Sequence, residues 1–268
     1  MEKGVPIRSI TRSIAALKAI NRHGSLTMME ISKAAEVPYP TACRIVQTLL
    51  YEGLIEQEPS RKRYRSTAMV QTLSHGFQHD NQLVTVARPH ILALTERVGW
   101  PVSIAIRVGR NMMLRDSTHA NTSLTFEQYY PGFTLPILDS ASGKLSMAYA
   151  EEEERLNILR WMRVSQEIDL DYLAHAEMSL DVEKIRRQGY AIQGRNHFNR
   201  TPGKTSSIAV PIFLGDRFEA AMTMVFFVTA MRLDSAVEQY LGDLKATAVR
   251  ISSDLNAAQL PASSPSAS

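Results

Sequence analysis

Residues 37–66 read VPYPTACRIVQTLLYEGLIEQEPSRKRYRS. The stretch opens apolar and ends with four basic residues in five positions, Arg61, Lys62, Arg63 and Arg65. Pro38 breaks a preceding helix. Pro40 suits the first turn of a new one, where its missing N–H costs nothing. Ala42, Ile45, Val46 and Leu49 then recur at helical spacing and form a stripe to bury. The opposite face holds Thr41, Arg44, Gln47 and Thr48, whose hydroxyl, guanidinium and amide groups can reach base edges or phosphates. Gly53 ends the helix. LIEQ and YRST read as two short strands joined by EPSRKR, a hairpin whose tip carries Arg61, Lys62 and Arg63.

Upstream, Ile10, Ile14, Leu17 and Ile20 recur at helical spacing and Gly24 follows as a stop. SLTMMEISKAAEV comes next. Its Thr27 and Glu30 have the T-x-x-E spacing of a capping box, in which each side chain satisfies a backbone donor at the helix start. Ile31, Ala34 and Val37 supply a short apolar face. Three helices followed by a basic hairpin predict a winged helix-turn-helix over residues 1–66, with the third helix in the major groove and the wing on the phosphates. The candidate contacts with operator double-stranded DNA are Arg8, Arg12, Tyr39, Pro40, Thr41, Cys43, Arg44, Gln47, Arg61, Lys62 and Arg63. The competing reading is a small helical protein-binding domain with a solvated basic loop.

The charge distribution agrees with the first reading. Residues 1–66 carry eleven Lys and Arg against six Asp and Glu, net +5, and the remainder carries nineteen against twenty-one, net −2. A basic module joined to a mildly acidic remainder suggests nucleic-acid binding attached to another activity. At 268 residues, two domains are expected. No window approaches the roughly 18 apolar residues of a membrane span. The opening MEKGVPIRSITRS has no apolar signal region, so a cytoplasmic protein without a membrane partner is expected. Cys43 is the single cysteine, which excludes an internal disulfide and a multi-cysteine metal cluster.

RSITRSIAALKAI and TMMEISKAAEVPYPTACRIVQTLLYEGLIEQ, with Arg44, Thr48-Leu49 and Glu52-Gly53-Leu54, resemble the opening helix and helix-turn-helix of the IclR family of bacterial transcription regulators. Pro40 and Cys43 stand where that family often has a small polar residue and frequently histidine. LPILDSASGKLSMAYA, IRRQGYA and SSIAVPIF resemble landmarks of the family's second domain. That resemblance implies a GAF-like effector-binding domain. RDSTHANTSLTF and MVFFVTAM look like the versions found in activators of phenylpropionate-type aromatic-acid catabolism.

The second half itself predicts an α+β domain on one antiparallel sheet. Val84, Ala87, Ile91, Leu94 and Val98 form a helical stripe with Pro89 near a helix start or kink. VSIAIR and NMMLRDS read as a hairpin around VGR. A helix is expected from about Ser140 to Ala150, another over EEEERLNILRWM, and an amphipathic one over SLDVEKIRRQG. TSSIAVPIFL and EAAMTMVFFVTAM read as strands, and DSAVEQYLGDLKATAVRISSDLNAA as a final helix. The expected boundaries are a linker helix at 67–81, the effector domain at 82–258 and a disordered tail at 259–268. The linker helix either pairs two subunits or begins the next core, or does both.

Enzyme motifs fail on inspection. PGKTS at 202–206 resembles the end of a phosphate loop, but Phe198 occupies the required glycine position. SGKLS has Leu138 at the glycine position and Leu145 where a hydroxyl is needed. There is no H-E-x-x-H and no G-x-S-x-G. His75, His79 and His90 lack a second cluster at ligand spacing. No catalytic residue, metal or cofactor is expected.

A pocket for a small aromatic acid needs apolar walls and a few placed polar groups. The helix start at Ser140, Ala141, Ser142 and Gly143 offers N–H groups and a favourable dipole, and the resemblance implies effector contacts from backbone groups there. Thr223 and Val225 fall on one face of a strand. Arg115, His119 and Arg195 are candidates for positive charge. The expected protein is a homodimeric or homotetrameric ligand-responsive regulator, an activator of a phenylpropionate-type aromatic-acid catabolic operon, with RNA polymerase as a further partner if it activates. The alternatives are a repressor answering a small non-aromatic acid, and a GAF-type sensor or enzyme with a protein-binding N-terminal domain.

Overall fold

The structure is a computed structural model that describes residues 7–59, 61–74, 80–125, 129–164, 170–195 and 203–259. The chain divides into two compact units, Met1–Gln78 and His79–Ser268.

In the first unit, helix α1 spans Arg8–His23, α2 Met28–Ala34 and α3 Tyr39–Tyr51. Strand β1 is Leu26–Thr27, β2 Ile55–Gln57 and β3 Arg63–Ser66, in the order β1-β3-β2. The capping box forms as its spacing predicts: Thr27 Oγ1 accepts from Glu30 N–H at 3.3 Å, and Glu30 Oε2 accepts from Thr27 N–H at 2.8 Å. Such a cap contributes roughly 1 kcal/mol. Ile20, Ile31, Ile45, Val46, Leu49 and Ile55 meet in one core with Ala16 and Ala19. The apolar stripe of α1 is shorter than its periodicity suggests. Ile10 and Ile14 are 54% and 49% exposed, because the buried residues of α1, Ala16, Ala19 and Ile20, all lie in its second half. Strand β1 is an addition to the two strands expected, since two residues carry no periodicity to detect.

A 3₁₀ helix follows at Ala68–Ser74, and helix α4 spans Asp80–Val98. The linker helix expected over 67–81 is of the 3₁₀ type in its described first part. The 3₁₀ segment buries none of its residues, so no packed apolar face holds it α-helical. Pro89 lies inside α4 rather than at its start.

The second unit is built on a six-stranded antiparallel sheet. Its strands are β4 Val102–Val108, β5 Asn111–Ser117, β6 Thr134–Pro136, β7 Ala191–Gln193, β8 Thr205–Leu214 and β9 Arg217–Phe227, ordered β6-β5-β4-β9-β8-β7. Its helices after α4 are α5 Ala141–Tyr149, α6 Glu152–Val164, α7 Leu170–Ser179, α8 Val182–Gln188 and α9 Leu233–Gln259. Gln259 closes α9, and the remainder of the expected tail lies outside the described residues.

Period-two alternation gives the sheet two unlike faces. Val102, Ile104, Ile208, Val210, Met222, Met224 and Phe226 pack with Ile91 and Leu94 of α4 and Leu244 and Ile251 of α9. The other face carries small side chains. Ala209 and Ala221 pack there against Ala141, Leu145 and Ala148 of α5, while Ser103 and Thr223 stand opposite each other across β4 and β9. Small residues on this side leave space between sheet and helix.

Candidate functional sites: a nucleic-acid interface and a ligand cavity

Helix α3 begins after Pro38, with Pro40 in its first turn. Ala42, Ile45, Val46 and Leu49 are buried, whereas Tyr39, Pro40, Arg44, Gln47 and Thr48 are exposed. Thr41 and Cys43 are half-buried at the borders of the exposed face. Thr48 Oγ1 donates to the Arg44 carbonyl at 3.0 Å, which commits its proton to the helix. The Arg44 and Gln47 side chains therefore form the outward face with their planar donor groups available. Arg8 and Arg12 are exposed on α1.

The wing differs from expectation at one residue. Arg61 and Lys62 are exposed in the β2–β3 turn, but Arg63 is half-buried in β3. Its guanidinium donates to the Ser25 carbonyl at 2.8 Å and to Ser25 Oγ at 3.3 Å, and lies 3.1 Å from Glu30 Oε2. Glu30 is held below the usual carboxylate range, first by the Thr27 N–H bond, then by the Thr27 hydroxyl and, more weakly, by Arg63. Arg63 thus ties the wing to the start of α2, because antiparallel pairing places it opposite Thr27.

In the second unit a narrow cavity of only about 30 Å³ lies under the small-residue face of the sheet, so its walls must part to admit anything larger than a water. Of the candidate residues, His119, Ser140, Ala141, Ser142, Thr223 and Val225 line it. Ser140 caps α5: its Oγ accepts from Gly143 N–H at 3.1 Å and donates to the Pro136 carbonyl at 3.0 Å. The N–H groups of Ala141 and Ser142 fall in the first turn, where a helix has no internal acceptors. Among the described residues, Thr223 Oγ1 is buried with no hydrogen-bond partner, as is His119 Nε2.

Three candidates fall outside the lining. Gly143 serves close packing instead: a Cβ there would stand 1.8 Å from the Ile137 carbonyl oxygen. Arg115 is not among the described lining residues; it is the extra residue of the β-bulge where β5 passes Ile104 and Ala105 of β4, so the strand's alternation is broken at its position. Arg195 is exposed, with φ 44°, and its N–H donates to Ser206 Oγ at 3.1 Å. His119 is the one ionisable candidate that reaches the cavity. Burial pushes its imidazole down to about 4, so it is neutral near pH 7.

The remaining lining residues escaped the sequence reading. Ser103 and Ala105 come from β4, Leu114 from β5 and Leu135 from β6; Thr205, Ser206 and Ser207 come from β8, and Tyr129 from the connection before β6. The usable signal was small-large alternation in VSIAI and TMV, which marks a sheet face kept open rather than packed. His90 is paired with Asp254 at 2.7 Å, while His75 and His79 lie outside the described residues. Among the described residues no cluster of His, Cys, Asp and Glu could hold a metal ion.

Comparison with known proteins defines the class. Residues 9–59 match the IclR helix-turn-helix domain, and residues 75–253 match the bacterial transcriptional regulator IclR C-terminal domain. The chain belongs to the IclR family: it is a DNA-binding transcriptional regulator with a ligand-binding C-terminal domain, and not an enzyme. It is 27% identical to the HTH-type transcriptional regulator BhcR of Paracoccus denitrificans, over 77% of this chain and 72% of that protein. It is 22% identical to the transcriptional repressor IclR of Escherichia coli, over 71% and 70%. In fold it is similar to an IclR homolog from Microbacterium hydrocarbonoxydans complexed with 4-hydroxybenzoate, with TM-score 0.66, 21% identity and coverage of 93% and 99%. It is likewise similar to Thermotoga maritima IclR, with TM-score 0.63, 20% identity and the same coverage. No described helix is long and apolar enough to cross a membrane.

Proposed function

We propose that the protein is an effector-responsive activator of an aromatic-acid catabolic operon, with a phenylpropionate-type acid in the cavity beneath the sheet. The observation that carries this reading is the make-up of the lining: Leu114, Tyr129, Leu135 and Val225 offer apolar surface for a ring beside Ser140, Ser142, Thr223 and His119. A buried carboxylate needs paired donors, since an unpaired charge costs several kcal/mol. The first turn of α5 supplies N–H groups without side-chain entropy. In this reading residues 1–66 bind operator DNA, residues 67–81 link, residues 82–258 form a GAF-like effector and oligomerisation domain, and residues 259–268 are dispensable. Two copies or four act together in the cytoplasm, because one winged module buries too little surface for operator affinity.

Thermal melting tests the effector. Hydroxyphenylpropionate or cinnamate at about 100 times Kd should stabilise the protein by roughly 2.7 kcal/mol, and their methyl esters should not. Stabilisation by glyoxylate or pyruvate and by no aromatic acid would overturn the assignment. A second reading, a repressor released by a small acid, is favoured by the Escherichia coli relative, which is named a repressor. Reporter expression with and without the stabilising acid separates activation from derepression.

A further inference from the structure

We infer that the cavity binds its acid together with one proton, and that His119 is the residue that holds it. The inference rests on the reading of the cavity as an acid-binding site. Three observations carry it. Among the described residues, no Lys or Arg lines the cavity. His119 does, at 2% exposure, and its Nε2 has no hydrogen-bond partner among the described residues. Its ring is held in place: Nδ1 lies 2.6 Å from Ser117 Oγ, and its own N–H donates to that oxygen at 3.2 Å.

The surroundings permit a charge on this ring only when an anion arrives. From β5, Asp116 is already engaged, its Oδ1 accepting from Arg88 of α4 and from Ser117 N–H. Tyr129 meets the imidazole edge-on with centroids 4.6 Å apart. From α5, the Lys144 ammonium is directed elsewhere and donates to the Ile192 carbonyl at 3.3 Å. Strands β4, β8 and β9 contribute only hydroxyls and small side chains to the lining. The segment is anchored behind the ring, where Thr118 Oγ1 accepts from Val102 N–H at 2.8 Å and lies 2.6 Å from Thr95 Oγ1. Empty, the site keeps a neutral imidazole. A carboxylate entering beside Nε2 favours the imidazolium, and an opposite charge at such range raises a pKa by about one to three units.

The proton balance is simple. One proton from solvent joins the imidazole as the carboxylate enters; entry of the neutral acid with transfer to the ring gives the same net uptake. Ser117 Oγ both donates and accepts, so it serves either tautomer on the Nδ1 side. With two N–H groups, the imidazolium keeps one bond to Ser117 and directs the other into the cavity.

Titration calorimetry of the full-length protein with 3-(3-hydroxyphenyl)propionate, in buffers of different ionisation heat, reads the uptake directly. For a rise of about two units, uptake at pH 6 should be about half a proton per ligand, and Kd should weaken about tenfold between pH 5 and 7, levelling off above. His119→Gln, which keeps a neutral polar group near Nε2, should lose both the uptake and the pH slope. The wild-type buffer dependence stands even if that variant folds poorly. Tight binding with no proton uptake, or a slope unchanged in His119→Gln, overturns this inference and leaves the cavity assignment standing. Absence of binding by this acid and by cinnamate, glyoxylate and pyruvate at every pH overturns both.

Discussion

The outer face of α3 and the cavity under the sheet are both candidate surfaces for anions, yet they solve the problem in opposite ways. The α3 face exposes Arg44 and Gln47, and the wing turn exposes Arg61 and Lys62. The charges of Arg44, Arg61 and Lys62 are permanent and hydrated, and cost nothing while no DNA is bound. Among the described residues the cavity's lining contains no Lys or Arg and one neutral histidine. A permanent cation there would be buried and unpaired whenever the ligand was absent, at a cost of several kcal/mol. A surface that meets a polyanion can carry fixed charge, whereas a closed pocket is better served by charge that appears with its ligand.

The largest test asks whether the cavity depends on one close approach. Gly143→Ala forces a Cβ into the Ile137 carbonyl, and overpacking against backbone should destabilise the second unit by about 3 kcal/mol. Denaturant unfolding of that unit measures the loss, while operator binding through the first unit's outward residues should be less affected. An unfolding curve matching wild type would mean the loop before α5 relaxes freely.

Nearly as large is the acid response of the ligand-free protein. The folded His119 value of about 4 lies below its unfolded value of 6.5. Between these two the unfolded chain binds more protons, so stability falls as pH drops from 6.5 towards 4, by up to about 3 kcal/mol. His119→Gln should remove this part of the acid lability, and a saturating acid ligand should suppress it in wild type. Parallel pH profiles for the two proteins would place the imidazole in contact with water.

For the exposed surface, Arg44→Ala should weaken operator binding by roughly 1–3 kcal/mol, the worth of a bidentate base contact. Random DNA should lose much less. Equal losses in a gel-shift titration would reassign Arg44 to phosphate.

Thr223→Val sharpens the contrast from inside the cavity. Its buried hydroxyl has no partner among the described residues, so without ligand the substitution should be neutral or stabilise by up to about 1 kcal/mol. The melting shift produced by an aromatic acid should shrink. A ligand-free loss instead would show that the hydroxyl is satisfied by water.

The smallest effect is expected at the wing. Neutralising Arg61 and Lys62 should lower the salt slope of DNA binding by up to about 0.9 per phosphate contact removed. Arg63→Ala should act differently, costing fold stability through its lost bonds to Ser25 and Glu30, with little change in slope. Identical behaviour of the two variants would return Arg63 to the DNA-contacting set.

The sequence by itself determined the first unit closely. Helical spacing of Ala42, Ile45, Val46 and Leu49, the Thr27–Glu30 cap and the basic hairpin are local signals, each contained within a few turns of chain. It also placed Ser140 at a helix start and Thr223 and Val225 on one strand face, because capping and alternation are local as well. Tertiary structure decided what depended on distant partners. Ile10 and Ile14 stay exposed because the core ends before them. Arg63 became a structural tie because strand pairing set it opposite Thr27. Arg115 and His119, four residues apart and equally plausible as cations, parted company at the end of β5. One became the extra residue of a β-bulge outside the cavity's lining, and the other was enclosed by chain segments far away in sequence, whose removal of water sets its charge.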